Sequence, residues 1–167
     1  DKELYVGAKS GFADLDHVIT GLSRSDLIIV AARPAMGKSV FALNLAANFA
    51  RHNKDSEAVI FSLEMSKEQN VTRMLSSESF VELDYLMKGN ISGDQWTKLA
   101  KGAESLSGMN IYLDDTAGIT VPQMKAKLRR LKRPGLVIID YLQLMNSSRR
   151  IENRVNEISE ITRQLKL

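Results

Sequence analysis

Gly37, Lys38 and Ser39 stand in a row behind Arg33-Pro34-Ala35-Met36, an order of residue types that suits the gripping of phosphate. If the chain turns into a helix here, the backbone N–H groups around Met36–Ser39 point into one loop and the helix N-terminus adds partial positive charge. Lys38 then reaches the β- and γ-phosphates of a nucleotide, and Ser39 offers its hydroxyl to Mg²⁺. The candidate nucleotide-binding set is Arg33, Pro34, Ala35, Met36, Gly37, Lys38, Ser39 and Val40. The general pattern G-x-x-x-x-G-K-[ST] begins with Gly, whereas this chain has Ala32 there. Alanine demands ordinary φ values, so the turn cannot be one that needs positive φ at that position. A chance Gly-Lys-Ser at an ordinary helix start is the plain alternative.

Two carboxylates can complete the chemistry. Glu64 ends the run AVIFSLE, Ala58–Glu64. In open α/β sheets ligands gather at the carboxyl ends of strands, where a glutamate can orient and deprotonate a water in line with the γ-phosphate. The same residue could instead cap a helix starting at Met65–Glu68. Asp140 ends the apolar residues Leu136–Ile139 of LVIIDYLQLM. A lone Asp closing a buried strand is costly without a cation or strong hydrogen bonds, which argues for a metal shared with Ser39. Gln143 can touch both the γ-phosphate region and a neighbouring loop, as a sensor, or it is an ordinary polar loop residue.

These groups need strands and helices to carry them. Leu27–Ala32 is a continuous apolar run with a β-branched centre and predicts a strand buried on both faces. Val40–Arg51 has no Gly or Pro and mixed helical spacing. Before them, Phe12, Leu15, Val18 and Ile19 predict a short helix packed on the strand's edge and stopped at Gly21. Between Lys67 and Ser107 the pattern is helical, with Val71, Met74, Leu75, Leu83, Leu86, Met87, Trp96, Leu99, Ala103 and Leu106 as core stripes and Ser92 or Asp94 as a cap. Arg73 is the charged residue singled out there, since helices after a catalytic strand often lie near subunit contacts. Asn110–Asp115 predicts another strand, with Asp114 and Asp115 in capping or turn roles. Val121–Lys132 predicts a helix ended by Pro134-Gly135, and Arg154–Leu167 another, with Val155, Ile158, Ile161 and Leu165 on one side. Between them lies a polar loop with Arg149 and Arg150.

Composition sets the frame. With 167 residues, 44% hydrophobic and 26% charged, the chain is long enough for one domain with a sizeable core. It has no Cys and two His, which excludes a disulfide framework and a thiolate or all-histidine metal site. No leader pattern or membrane-length apolar run occurs, so the expectation is a cytoplasmic protein. The first residue is Asp, which suggests a piece of a longer chain. Of the Lys and Arg residues 12 lie in 1–115 against 16 acids, and 11 lie in 116–167 against 4. That asymmetry suits a nucleic-acid-facing side, or a solvated basic helix face.

In GFADLDHVITGLSRSDLIIVAARPAMGKS, FSLEMS, LDD, VIIDYLQLM and ENRVNEISEITRQLK, the chain resembles the C-terminal ATPase domain of DnaB-type replicative DNA helicases. That family has the same Ala in the loop. The resemblance implies an α/β RecA-like fold, a mostly parallel sheet with helices on both faces, incomplete at the C-terminus. Residues 1–9 would be a linker remnant and 10–167 a partial ATPase domain. It also implies a ring, usually hexameric, that uses ATP and Mg²⁺ and holds single-stranded DNA in its channel, with primase and a helicase loader as partners of the parent protein and no membrane. Lys38, Glu64 and Gln143 would be catalytic, and Ser39 and Asp140 would hold the metal. The family's arginine finger and DNA-contacting loop would lie past Leu167, so the 167 residues alone are expected to bind nucleotide weakly without turnover. A RecA-like recombination or regulatory ATPase, using nucleotide to switch assembly, is the alternative.

Overall fold

In the computed structural model, which describes residues 7–33, 35–147 and 153–166, three parallel strands form the sheet. They are β1 (Glu57–Ser62), β2 (Ile111–Asp114) and β3 (Pro134–Asp140), in the order β2-β1-β3. The central strand is apolar through Phe61 because both its faces are covered, as parallel strands require. Side chains alternate across a strand, and the core divides accordingly. Ala58 and Ile60 meet Leu43, Ala46 and Phe49 of α2 (Lys38–His52) and Met74 of α3 (Lys67–Ser79). Val59 and Phe61 meet Val121 and Met124 of α6 (Val121–Leu128), Met145, and Ile161 of α7 (Arg154–Lys166) on the other face. Helices on both faces of a parallel sheet are the architecture expected.

Register decides where the chemistry emerges. Phe61 pairs with Asp114 and Ser62 with Asp140, so all three strands end level and Glu64, Asp114 and Asp140 leave the sheet at one edge. Pro134 lacks an N–H and sits at the start of β3, where the ladder loses least. Pro134-Gly135 therefore opens the strand, whereas the preceding helix already stops at Leu128. β3 ends at Asp140, the acid expected to close it, and Leu142–Leu144 is a single 3-10 turn.

The expected strand Leu27–Ala32 is not formed. Its residues are exposed, Ile29 at 72%, and none makes a backbone hydrogen bond among the described residues. The segment lines the cleft alongside the outer edge of β3. No ladder joins the segment to β3 or to any other described strand, so its backbone lacks the bonds that define a strand. Its apolar composition signals burial that the described contacts do not supply.

Other differences are local. The first helix, α1 (Ala13–Ile19), packs on α2 through stacked Phe12 and Phe41 rings 5.0 Å apart, and not on a strand. Its buried Asp16 accepts from the N–H groups of Ser10 at 2.8 Å and Gly11 at 3.3 Å, and Thr20 at φ 57° ends it before Gly21. Ala8 pairs with Leu22 in an antiparallel bridge, which ties residue 8 to the domain. The long helical stretch breaks into α3, α4 (Leu83–Lys88) and α5 (Gly93–Ser107), with capping boxes at Ser66 and Ser92. On α5 the inward residues are Leu99 and Gly102, where a Cβ would come within 3.0 Å of Ser79. Trp96, 61% exposed, and Ala103 face outward instead of into the core, and so do Val71 and Met87. Arg149 and Arg150 lie outside the described residues. Among those described, no helix is long and apolar enough to cross a membrane.

Candidate active site

The loop before α2 turns twice through left-handed backbone, at Ala35 (φ 62°) and Gly37 (φ 84°). Met36 N–H donates to Arg33 O at 3.3 Å, and Phe41 N–H makes the first helical bond to Gly37 O at 2.9 Å. The N–H groups of Lys38, Ser39 and Val40 precede that bond, and no side chain caps them. A Cβ at Gly37 would meet nothing within 4 Å, so glycine serves the φ angle and the space before the helix stays open. Open room, uncapped donors and the helix dipole fit an anion. Pro34 of the expected set lies outside the described residues. Arg33, Ala35, Met36 and Val40 are exposed on the wall of the cleft.

Lys38 Nζ lies 3.0 Å from Asp140 Oδ1, with side-chain exposures of 29% and 9%. The ammonium also sits 4.0 Å from the centroid of the Tyr141 ring. A nearly buried carboxylate is stable only when paired, and the ion pair with its aromatic neighbour supplies that partner. Leu63 N–H donates to Asp140 O at 2.8 Å, so the turn carrying Glu64 is bonded directly to the end of β3. The Asp140–Tyr141 peptide is cis.

Glu64 is exposed in the turn between β1 and α3. It lines a cleft of about 2140 Å³ together with Lys38, Ser39, Asp140, Gln143 and Arg73. Residues chosen from four separate stretches of sequence thus share one cavity. Ser39 and Asp140, a hydroxyl and a carboxylate, match the sparse protein donor set by which Mg²⁺ is held beside phosphates. Among the described residues no three His, Asp or Glu side chains gather to hold a metal. Gln143 is exposed in the Leu142–Leu144 turn, and its backbone carbonyl accepts from the Arg154 guanidinium, which also reaches Met145 O at 3.2 Å and the Glu157 carboxylate. Ser147 N–H donates to Glu157 at 2.9 Å, and these bonds hold the Glu157 carboxyl below its usual value.

The acids at the end of β2 are structural. Asp115 accepts the N–H of Lys67 at 3.0 Å and thereby holds the start of α3, which lowers its pKa together with the Lys67 ammonium. Asp114 pairs with Lys127 and accepts from Thr116 N–H at 3.0 Å. Burial acts to raise its pKa, but the Lys127 and Thr116 bonds prevail and hold it below the ordinary value. Sequence reading did not single out Tyr141, Arg154 or Asn70. Tyr141 directly follows Asp140, and that adjacency was the available signal.

A parallel α/β sheet flanked by helices, with a Gly-Lys-Ser helix start facing an acid at the end of a neighbouring strand, defines a RecA-like phosphate-loop domain. A family model described as the DnaB-like helicase C terminal domain matches residues 7–167, and the chain belongs to that family. The replicative DNA helicase DnaB of Nostoc sp. is 52% identical over 165 residues, 96% of this chain and 18% of that protein. The replicative DNA helicase DnaC of Bacillus subtilis is 49% identical over 164 residues, 96% of this chain and 36% of that protein. Among solved structures, a DnaB-like replicative helicase, described with its interactions with primase, matches with a TM-score of 0.90 at 34% identity, covering 99% of this chain and 42% of that one. A second solved structure, of an ATPase domain, matches with the same TM-score and identity over 60% of its own chain. The chain therefore spans between about a fifth and just over a third of the length of these curated relatives.

Proposed function

We propose that this chain is the ATP-hydrolysing part of a replicative DNA helicase motor. The observation that carries the reading is the meeting of Lys38 with Asp140, 3.0 Å apart, in a cleft that Glu64 also lines. Lys38 and the uncapped N–H groups at the start of α2 bind the β- and γ-phosphates of ATP. Ser39 and Asp140 would hold Mg²⁺, which would supply positive charge against the phosphates. Glu64 takes a proton from the attacking water as the water's oxygen bonds to the γ-phosphorus and the bond from that phosphorus to the bridging oxygen breaks, with ADP leaving. Gln143, in the turn held by Arg154, links this event to the neighbouring loops.

In this reading the full-length protein is a homohexameric ring on single-stranded DNA, gripping the backbone without base-specific contacts, with primase and a helicase loader as partners. It works in the bacterial cytoplasm, at the nucleoid during replication. Support comes from the family and from relatives named replicative DNA helicases. The test is steady-state ATP hydrolysis by the full-length protein with and without single-stranded DNA. DNA-stimulated turnover lost in Lys38→Ala supports the reading, and turnover that survives this substitution overturns it.

A further inference from the structure

The turn that carries Glu64, residues 63–66, is held by two buried polar side chains that the chemistry above does not use. Ser62 is 3% exposed and donates its hydroxyl to Met65 O at 2.8 Å. Asn70 is 2% exposed and donates from Nδ2 to Ser62 Oγ at 2.7 Å and to Ser66 O at 3.0 Å, with Met65 O at 3.4 Å. The ends of the turn are fixed as well. Leu63 N–H is bonded to Asp140 O at 2.8 Å, and Lys67 N–H to Asp115 at 3.0 Å.

Burying an amide and a hydroxyl is costly, and an apolar pair of similar volume would fill this junction of β1 and α3 without that cost. The hydrogen bonds of both side chains converge on the turn, from Ser62 through Met65 to Ser66. Glu64 lies inside that span with its own side chain exposed to the cleft, so its direction is set by backbone that Ser62 and Asn70 hold.

We infer that Asn70 and Ser62 are positioning residues for Glu64, fixing the turn from which its carboxylate enters the cleft. This rests on the reading of Glu64 as the group that takes the proton from water. The nucleotide grip belongs to the loop and α2, and the hydrogen bonds of the Ser62 and Asn70 side chains go to neither. Loss of either therefore affects the rate of the chemical step and spares nucleotide binding.

The test compares Asn70→Asp, Ser62→Ala, Ser62→Thr and Glu64→Gln in the full-length protein, by ATP hydrolysis in the presence of single-stranded DNA. Asn70→Asp keeps the shape but turns an acceptor toward two carbonyl oxygens. Ser62→Ala removes the hydroxyl and Ser62→Thr restores it. A misplacement of about 1 Å costs about 100-fold in rate, so Asn70→Asp and Ser62→Ala are expected to lower kcat roughly 10- to 100-fold. KM for ATP is expected to stay within about 3-fold, the signature of a transition-state effect. Ser62→Thr recovers most of the rate, and in the Glu64→Gln background neither substitution lowers the residual rate further. Wild-type kcat in Asn70→Asp and Ser62→Ala beside an inactive Glu64→Gln overturns the positioning role alone. An active Glu64→Gln overturns the reading of Glu64 and this inference with it. Ser62→Ala, the smaller change, decides between these outcomes if Asn70→Asp fails to fold.

Discussion

The ammonium of Lys38 lies 3.0 Å from the Oδ1 atom of Asp140, joining the first residue of α2 to the last residue of β3. Asp140→Asn removes one charge of a nearly buried pair and weakens the hold on Mg²⁺. The expected result in the full-length protein is a loss of ATP hydrolysis of at least about 100-fold, as for removal of a group that stabilises developing charge. Steady-state turnover across a range of Mg²⁺ concentrations checks this, with no recovery of the full rate at saturating metal.

The exposed run Leu27–Ala32 and the buried strand β1 respond unequally to truncation. In the 167-residue chain, Ile29→Ala changes stability by no more than about 0.5 kcal/mol, because a surface side chain is removed. Ile60→Ala, at a position 1% exposed between β1 and α2, costs about 2–5 kcal/mol. Urea unfolding of the two variants measures the contrast, and equal losses would show that Leu27–Ala32 is packed.

How much of this was legible follows from the same pair of segments. β1, β3 and the Gly-Lys-Ser helix start could be read because apolar runs ending in an acid, and a glycine before a helix, carry their meaning locally. Leu27–Ala32 is as apolar as the centre of β1, yet a strand forms only where a neighbouring strand and covering helices meet it. No periodicity within the run reports whether they are present. Trp96 misled for a related reason. It shares the helical spacing of Leu99, but the close approach of α3 and α5 at Gly102 turns it outward. Asn70 was invisible because a polar residue in a helix reads as solvent-facing until the bonds of Ser62 are known.

Asp114 adds a pH dependence to folding. Burial acts to raise the pKa of its carboxyl, yet the bonds from Lys127 and Thr116 prevail and hold it below the ordinary value. A depressed carboxylate contributes stability above its unfolded pKa of about 4 and loses it as pH falls through the folded value. Asp114→Asn is therefore expected to destabilise the chain by about 1 kcal/mol at neutral pH, and the difference shrinks as pH drops below about 4. Unfolding curves of both proteins between pH 7 and about 3 test the sign. A difference that grows on acidification contradicts it.

The 167-residue chain by itself is expected to bind nucleotide weakly and to show no turnover, because the run leading into the loop lies exposed and makes no backbone hydrogen bond among the described residues. Titration with a fluorescent ATP analogue and a phosphate-release assay on this chain provide the check. Robust turnover by the chain alone would show that the loop needs no further support.

Strand displacement on a forked DNA duplex by the full-length protein bears most directly on the motor reading. The expected result is ATP-dependent separation of the strands that is lost in Lys38→Ala and in Glu64→Gln. Unwinding that persists in either variant, or a wild-type protein that hydrolyses ATP on single-stranded DNA yet separates no strands, would contradict it.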